Sequence, residues 1–293
     1  MEGVKHRKTV GYLHGHLEHH LDHIAPFCSL QGYDLIVTEE ELYTLATRYY
    51  PDLKVVFCSP VKAPFLITEK YDVVITTLPR PLFDDIFLIA ELTCGKRLKT
   101  CWLPHGYSDK GNLEALRNEE TLLVYNRGAY PVAAGQEEVA LGNFRAAYFQ
   151  KHHAFYTTLL NSMKVKESFV LYAPTWGRDL EEEVVGLPDI LIKPHPNDAE
   201  TPLALHYKER FGMVWLDHFP PVYPLLERAA CLVTDASSIA YDFLYFNRPL
   251  FFLTKKETPI HACGEPFSQA FKPQEHLQTI RSATYAKIFG ATC

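Results

Sequence analysis

The chain has 293 residues, of which 47% are apolar and 22% are charged, and its formal net charge is −6. This length and composition suit a globular protein with two domains and their own cores, so disordered and fibrous classes are excluded. The negative charge gives no electrostatic support for a nucleic-acid partner, and we expect none.

The sequence shows no pattern for crossing a membrane or for export. No apolar run approaches the roughly 18 to 20 residues that span a bilayer, and the N-terminal residues lack the apolar segment of a signal peptide. We therefore expect a cytoplasmic protein, with peripheral contact at the inner membrane face left open. Seven cysteines without a Cys-X-X-Cys pair indicate reduced thiols rather than disulfides or a zinc knuckle.

Strand and helix patterns alternate along the chain. Helical patterns near 16–30, 39–50 and 84–92 separate several of the first predicted strands, which are 9–13, 34–37, 54–57, 72–75 and 99–103. The second predicted series is 169–173, 190–193, 213–216, 231–234 and 250–253. Parallel strands need such crossovers, so we predict an α/β fold of two Rossmann-like domains facing across a cleft.

The domain boundary is predicted near 145–165, after a turn-rich stretch at 128–135. We place an N-terminal, acceptor-side domain at 1–155 and a C-terminal, nucleotide-binding domain at 156–293. A last helix from about Phe271 is expected to pack back on the N-terminal domain.

The most informative segment is 231–249, which reads as a buried strand leading into a helix. Its first turn presents Asp235, Ser237 and Ser238, and Asn247 is placed to end the helix. Backbone N–H groups at a helix start favour an anion, and small hydroxyls add donors, so the turn predicts a phosphate site. The alternative, in which these side chains only cap the helix, stays open.

Polar residues also follow other predicted strands, where ligands bind in open α/β sheets. The segments are 104–107, 172–179 and 193–198. They carry histidine, lysine, arginine and threonine side chains, which suit phosphate binding and proton transfer.

Taken in order, these motifs resemble those of the CDP-glycerol glycerophosphotransferase family, the teichoic-acid primases and polymerases with a GT-B architecture. The motifs are His105-Gly106, GNFR at 142–145, YAPTW at 172–176, KPHP at 193–196 and TDASSIAYDFL at 234–244 with Pro249. The resemblance covers about 102–253. Family members commonly carry arginine directly after the YAPTW segment and an aromatic residue before the two serines, where this chain has Gly177 and Ala236.

The resemblance implies transfer of glycerol phosphate, or a related polyol phosphate, from a CDP-activated donor to a hydroxyl acceptor, with release of CMP. The acceptor class implied is a lipid-linked glycan or polyol phosphate in cell-surface polymer synthesis. His105 is then the candidate base, because an imidazole of near-neutral pKa accepts a hydroxyl proton. Gly106 would let the acceptor approach the backbone. A structural loop histidine is the alternative.

On the donor side, His195 lies between two prolines that aim its imidazole. With Ser237 and Ser238 it is predicted to stabilise charge on the diphosphate and the leaving CMP. The other donor-binding candidates are Thr175, Trp176, Arg178, Lys193, Asp235 and Asp242. Trp176 has a core aromatic as its alternative role, and Asp242 a solvated helix carboxylate. The alternative for the KPHP segment is a rigid surface turn.

We predict a reaction without metal or cofactor, because the sequence offers no DxD carboxylate pair. A histidine arc at His16, His19, His20 and His23 has the spacing of a zinc site, but ligation requires converging imidazoles and supporting partners. We instead expect His14 and His16, which follow the first strand, to contact acceptor phosphate.

Two other function classes remain open. One is a GT-B glycosyltransferase or a UDP-sugar 2-epimerase-like enzyme, which would share the architecture but use a sugar nucleotide. The other is a catalytically silent nucleotide-binding module. Release of CMP would indicate transfer from a CDP-activated donor, whereas release of UDP or UMP would indicate an enzyme that uses a sugar nucleotide.

Overall fold

A computed structural model describes residues 8–107, 114–130, 132–177, 181–198, 201–211, 216–235, 237–254, 258–268 and 274–290. Contacts within the chain define two units. The first unit is Met1–His105 with Gly111–Tyr148, and the second unit is Gly106–Lys110 with Phe149–Cys293. Among the described residues, none of the helices combines the length and the apolar character that a membrane span requires.

The first unit is built on a parallel sheet flanked by helices. Its strands are β1 Thr9–Leu13, β2 Asp34–Val37, β3 Lys54–Phe57, β4 Val73–Thr76, β5 Lys99–Trp102, β6 Thr121–Val124 and β7 Glu137–Ala140. Its helices are α1 Glu18–Gln31, α2 Glu40–Tyr49, α3 Ala63–Lys70, α4 Asp84–Cys94 and the start of α5 Phe144–Lys151. The strand order is β3-β2-β1-β4-β5-β6-β7, so the topological switch point lies between β1 and β4.

Close packing of α1 on β1 depends on Gly11. A Cβ atom at this position would lie 2.5 Å from Cys28 Sγ of α1 and 3.0 Å from Leu35 Cδ1 of β2. Only a glycine therefore allows the helix to approach the strand this closely. The result is that α1 is buried along most of its length, including Leu21 and Ile24, which are fully buried.

The second unit has a smaller sheet. Its strands are β8 Phe169–Tyr172, β9 Ile190–Ile192, β10 Ala229–Thr234, β11 Leu250–Phe252 and β12 Glu265–Pro266. Its helices are α6 His153–Ser162, α7 Glu182–Val185, α8 Pro202–Phe211, α9 Tyr223–Arg228, α10 Ile239–Phe243 and α11 Gln278–Phe289. The order is β12-β11-β10-β8-β9 with parallel pairing, and the switch point lies between β8 and β10.

The predicted fold class, α/β with two Rossmann-like sheets, is confirmed, whereas their arrangement across a cleft stays a prediction. Of the strand predicted at 213–216, the first three residues lie outside the described residues, and Leu216 is not in a strand. The final helix forms as α11, which packs on short 3-10 turns at Leu244–Phe246 and Pro259–Cys263 of the second unit. Its packing on the first unit stays a prediction.

Candidate active site

His105 follows β5 at the carboxyl edge of the first sheet, beside the switch point. The residue is exposed as a whole, and its ring stacks on the ring of His20 from α1, with centroids 4.2 Å apart and 22° between the planes. His20 is buried, and its Nδ1 lies 2.8 Å from the hydroxyl oxygen of Thr77, which directly follows β4. Three elements of the first unit therefore meet at His105.

The protonation state of His105 is set by its surroundings. Desolvation by nearby protein lowers the pKa of His105, and a hydrogen bond with the Thr77 backbone opposes this effect. Because that bond favours the protonated ring, His105 is the donor and the Thr77 carbonyl oxygen accepts. One ring nitrogen thus holds the proton, and the other presents a lone pair, as a general base requires.

The remaining histidines of α1 lie around this pair. The rings of His19 and His20 are 4.4 Å apart at their centroids, and Tyr125 Oη lies 3.4 Å from His23 Nδ1. Burial, followed by the charge of Arg145, lowers the pKa of His23 well below 6.5. The lone pairs of an imidazole lie in its plane, so the stacked rings of His20 and His105 do not converge on a shared metal ion.

Arg145, from the GNFR motif, anchors α1. Its guanidinium forms a buried ion pair with Asp22, and its Nε donates to the Asp22 carbonyl oxygen at 3.0 Å. The Tyr50 hydroxyl donates to the other Asp22 carboxylate oxygen at 2.9 Å. Sequence reasoning found the motif but gave it no role, because the partner lies 123 positions away and only the fold brings the two together.

The acceptor-side candidates are near the end of β1. His14 Nδ1 lies 3.2 Å from Thr38 Oγ1. His16 is exposed and lies between two carboxylates, 3.7 Å from Glu39 and 3.5 Å from Glu41. These carboxylates would repel a phosphate, and the acceptor role of both histidines stays a prediction.

Gly106 follows His105 with φ at 110°, in the region that favours glycine. The backbone turn after the histidine therefore depends on this residue. The close approach of an acceptor at this glycine stays a prediction.

In the second unit, Asp235 and Thr175 join the two strands at the switch point. The Thr175 backbone N–H donates to Asp235 Oδ1 at 3.2 Å, and the Thr175 hydroxyl donates to the same oxygen. Asp235 is buried, so this bond links the ends of β8 and β10. The carboxylate is thus engaged across the sheet, and the N-cap residue of α10, Ser238, makes no side-chain cap hydrogen bond.

Ser237 and Ser238 are half-buried at the start of α10, which spans only five residues. A helix this short supplies a smaller dipole than the sequence pattern indicates, so any anion here depends more on hydroxyl and backbone N–H donors. Asn247 ends the following 3-10 turn with φ at 50°, as predicted.

His195 lies after β9, close to the buried Lys193. Its Nδ1 accepts a hydrogen bond from the Asn197 backbone N–H at 3.2 Å, which places the proton of the neutral ring on Nε2. Desolvation lowers the pKa of His195, the charge of Lys193 lowers it further, and Asp198 opposes the shift. The ring is therefore a neutral donor at Nε2.

The loop after β8 presents Trp176 to solvent. This side chain is 61% exposed, so its alternative role as a core aromatic is wrong. The Gly177 N–H donates to Asp198 Oδ2 at 2.8 Å, which fixes the loop beyond the tryptophan. Arg178 lies outside the described residues.

Asp242 is buried in α10 and accepts a hydrogen bond from the Tyr223 hydroxyl at 3.2 Å. Its alternative role as a solvated carboxylate is therefore wrong. The donor-binding role of this carboxylate stays a prediction.

Two doubly wound parallel units, with polar side chains at their switch points, define an α/β protein with two Rossmann-like units. Structures of the wall teichoic acid polymerase TagF align with 96% of the chain and 84% of their own, at 14% identity and a TM-score of 0.61. UDP-GlcNAc 2-epimerase from Neisseria meningitidis aligns over 95% and 91%, at 12% identity and a TM-score of 0.56. The S. aureus MnaA complex with UDP aligns at 10% identity, a TM-score of 0.53, and coverage of 98% and 91%. These likenesses show the fold.

The family model described as CDP-Glycerol:Poly(glycerophosphate) glycerophosphotransferase matches residues 178–258. This segment contains the KPHP and TDASS motifs, and the predicted resemblance is confirmed there. Over residues 178–258 the chain is therefore similar to CDP-glycerol glycerophosphotransferases. No curated protein matches the sequence.

Proposed function

We propose that this protein transfers glycerol phosphate, or a related polyol phosphate, from a CDP-activated donor to a hydroxyl acceptor and releases CMP. The observation that carries the proposal is the arrangement of His105, which is exposed, fixed by Thr77 and lowered in pKa. Such an imidazole is neutral at pH 7 and can take a proton from an attacking hydroxyl.

In the transfer step, the acceptor oxygen forms a bond to the phosphorus that carries the glycerol. The bond from that phosphorus to the CMP oxygen breaks, and CMP leaves with the electron pair. The hydroxyl proton passes to the lone-pair nitrogen of His105. Gly106 leaves room for the acceptor next to this nitrogen.

On the donor side, His195 supplies an Nε2–H group, and Ser237 and Ser238 supply hydroxyls. Hydrogen bonds to phosphate oxygens strengthen as charge develops on the leaving group, which lowers the barrier. Lys193 adds positive charge close to His195. We propose that these groups make the reaction independent of a metal ion, and that Thr175, Trp176, Arg178, Asp235 and Asp242 shape the donor site.

The acceptor and the cellular setting belong to the same proposal. A lipid-linked glycan or polyol phosphate would offer the attacking hydroxyl, at the cytoplasmic face of a membrane. Support comes from the family match and from the fold shared with a wall teichoic acid polymerase.

The test is release of CMP from CDP-glycerol by the full chain in EDTA, with a glycerol phosphate-terminated lipid acceptor and chromatographic detection. We expect His105→Asn to lower kcat by about 10²- to 10⁴-fold, the usual contribution of a general base. His195→Gln should also lower kcat. The control is His276→Gln, an exposed histidine paired with Glu265 at 3.4 Å, which should keep the wild-type rate.

An unchanged rate in His105→Asn would refute the assignment of the base. Turnover of a UDP-sugar with no reaction of CDP-glycerol would favour the second candidate, a sugar-nucleotide enzyme. That candidate is kept because the fold also matches UDP-GlcNAc 2-epimerases.

A further inference from the structure

We propose that His20, held by Thr77, is a positioning residue that fixes the ring plane and the tautomer of His105. The inference rests on the proposed function, because it assumes that His105 accepts the acceptor proton. No sequence motif points to this role: His20 belongs to a helix, 85 positions before the residue it supports.

The geometry places Thr77 in contact with both histidines. Its side-chain oxygen lies 2.8 Å from His20 Nδ1, and its backbone carbonyl accepts the ring N–H of His105. The two imidazoles then lie nearly parallel, 4.2 Å apart. A rotation of the His105 ring would lose both the stacking contact and the bond to the carbonyl.

His20 itself cannot move easily. Its side chain is buried, as is Thr77, and its helix is tied to α5 by the ion pair of Asp22 with Arg145. Packed interiors resist reorientation, so the stack offers His105 a fixed surface. Precise placement matters, because a shift of about 1 Å in a reacting group costs roughly 10²-fold in rate.

The titratable and charged groups around the pair come from three elements. His19 lies on α1, with its ring centroid 6.4 Å from that of His105, and His23 lies one turn further along. Arg145 of α5 and Tyr125 after β6 face His23. His20 is the residue that covers the face of the His105 ring, so its removal admits water to that face.

The test compares His20→Ala with His20→Phe, which restores an aromatic ring but not the nitrogen bonded to Thr77. Thr77→Val is a third variant, which removes the hydroxyl and keeps the carbonyl. Histidine ring ¹⁵N NMR without substrate reports the tautomer and pKa of His105. The His105 resonances are assigned as those that disappear in His105→Asn. CMP release from CDP-glycerol gives kcat and KM, and circular dichroism gives the folded state.

We expect His20→Ala to lower kcat by about 10- to 100-fold with little change in donor KM. The pKa of His105 should rise towards 6.5, and the acid limb of the rate profile should move to higher pH. A second tautomer should appear in the NMR spectrum. His20→Phe should recover most of the kcat and the low pKa of His105. The kcat and the His105 pKa of Thr77→Val should lie between those of His20→Ala and His20→Phe.

A His20→Ala protein with unchanged kcat, tautomer and pKa of His105 would overturn the inference. Equal losses in His20→Phe and His20→Ala, with the NMR signature of His105 unchanged, would indicate a role in folding alone and would overturn it too. The proposed function fails by a different result, namely unchanged CMP release in His105→Asn, and the NMR comparison needs no substrate. If His20→Ala does not fold, the same measurements are compared between Thr77→Val and His20→Phe. A lower kcat in Thr77→Val, with an altered tautomer or pKa of His105, supports the inference, and wild-type values of all three in Thr77→Val overturn it.

Discussion

His105 and His195 are both neutral near pH 7, but they present opposite groups. The ring N–H of His105 donates a hydrogen bond to the Thr77 carbonyl oxygen and leaves a lone pair on the other nitrogen, whereas His195 Nδ1 accepts a hydrogen bond from the Asn197 N–H and leaves the N–H on Nε2. In the proposed mechanism, a base and a hydrogen-bond donor are thus made from the same side chain by the choice of backbone partner. The roles cannot be exchanged without moving those partners.

The pH dependence of activity follows from the lowered pKa of His105. In the proposed mechanism the neutral ring is the reactive form, so kcat/KM should stay level below the ordinary value of 6.5 and decline only as the pH falls through the lowered pKa. A profile of CMP release from pH 8 to pH 5 measures this limb. An acid limb above 6.5 would contradict the assignment.

His23 links stability to pH. Its folded-state pKa is well below 6.5, so below that pH the unfolded chain binds a proton that the folded chain excludes. The free energy of unfolding should therefore decrease as the pH falls from about 6.5, by at most about 1.4 kcal/mol per pH unit for this group. Urea unfolding at several pH values gives the free energy of unfolding as a function of pH, and its slope should be shallower in His23→Gln than in the wild type. Equal slopes in the two proteins would exclude His23 as a source of the pH dependence.

The bond between Thr175 and Asp235 should stabilise the second unit. Thr175→Val removes a hydroxyl that donates to a buried carboxylate, and we expect a loss of about 1.5–3 kcal/mol in the free energy of unfolding. Urea unfolding measures the loss. The matched control is Thr158→Val, whose exposed hydroxyl donates within α6 at 3.0 Å. Similar losses in both variants would argue against the role of the switch-point bond.

At the scale of elements, α1 is held in place by a charge pair rather than by apolar contacts alone. Asp22→Asn or Arg145→Gln leaves the charge of the partner buried and unpaired. Each substitution should lower the free energy of unfolding by about 3–5 kcal/mol. The double variant should cost less than the sum of the two. Chemical denaturation measures the free energy of unfolding of the two single variants and of the double variant.

Arg97→Gln serves as the control, since Arg97 is exposed and its pair with Glu120 should contribute under about 1 kcal/mol. A strictly additive double variant would show that Asp22 and Arg145 do not interact. CMP release should fall with the single substitutions, because α1 carries His20.

The strands that could be predicted are those with a clear apolar signal. The bounds of β1, β2 and β3 agree with the prediction, whereas β6, β7 and α3 were missed. The sequence of β7 is Glu-Glu-Val-Ala at the edge of the sheet with exposed ends, so it lacks an apolar run. In α3, the segment Ala-Pro-Phe-Leu-Ile-Thr-Glu-Lys mixes a starting proline with β-branched residues, which obscures the helical period.

The candidate site was predictable only where local motifs carry it. His105 and His195 follow predicted strands, and their position at a sheet edge is a property of parallel topology. The contacts of Asp235 with Thr175, and of His20 with Thr77, span 60 and 57 positions and depend on strand order. No local pattern contains that information, so the sequence predicts neither contact.

At the scale of the whole molecule, the reactivity of each cysteine thiol shows whether the surrounding structure is closed to solvent. Burial raises the pKa of Cys101 to about 11 and that of Cys231 to about 12, whereas Cys94 is exposed. Among the described cysteines, Cys94 should react first with iodoacetamide at pH 7.5, and the two buried thiols only after unfolding. Peptide mass spectrometry measures the order. Early alkylation of Cys231 would indicate that the second sheet opens in the native state.

The fold alone does not choose between chemistries at this scale. The chain aligns with TagF at a TM-score of 0.61 and with an epimerase at 0.56, a difference too small to assign a reaction. We expect the distinction to depend on the side chains at the two switch points, of which the family model covers Asp235, Ser237 and Ser238 but neither Thr175 nor His105. Function in such proteins is decided by residues placed on a shared scaffold.

The pair of Asp22 with Arg145 also sets an order of events during protein synthesis. The two residues are 123 positions apart, so the ribosome needs about 6–25 s to add the intervening residues at ~5–20 residues per second. During that interval the carboxylate of Asp22 has no guanidinium partner and stays hydrated. The nascent first unit should therefore remain sensitive to proteases, and recognisable by chaperones, until the GNFR segment leaves the exit tunnel.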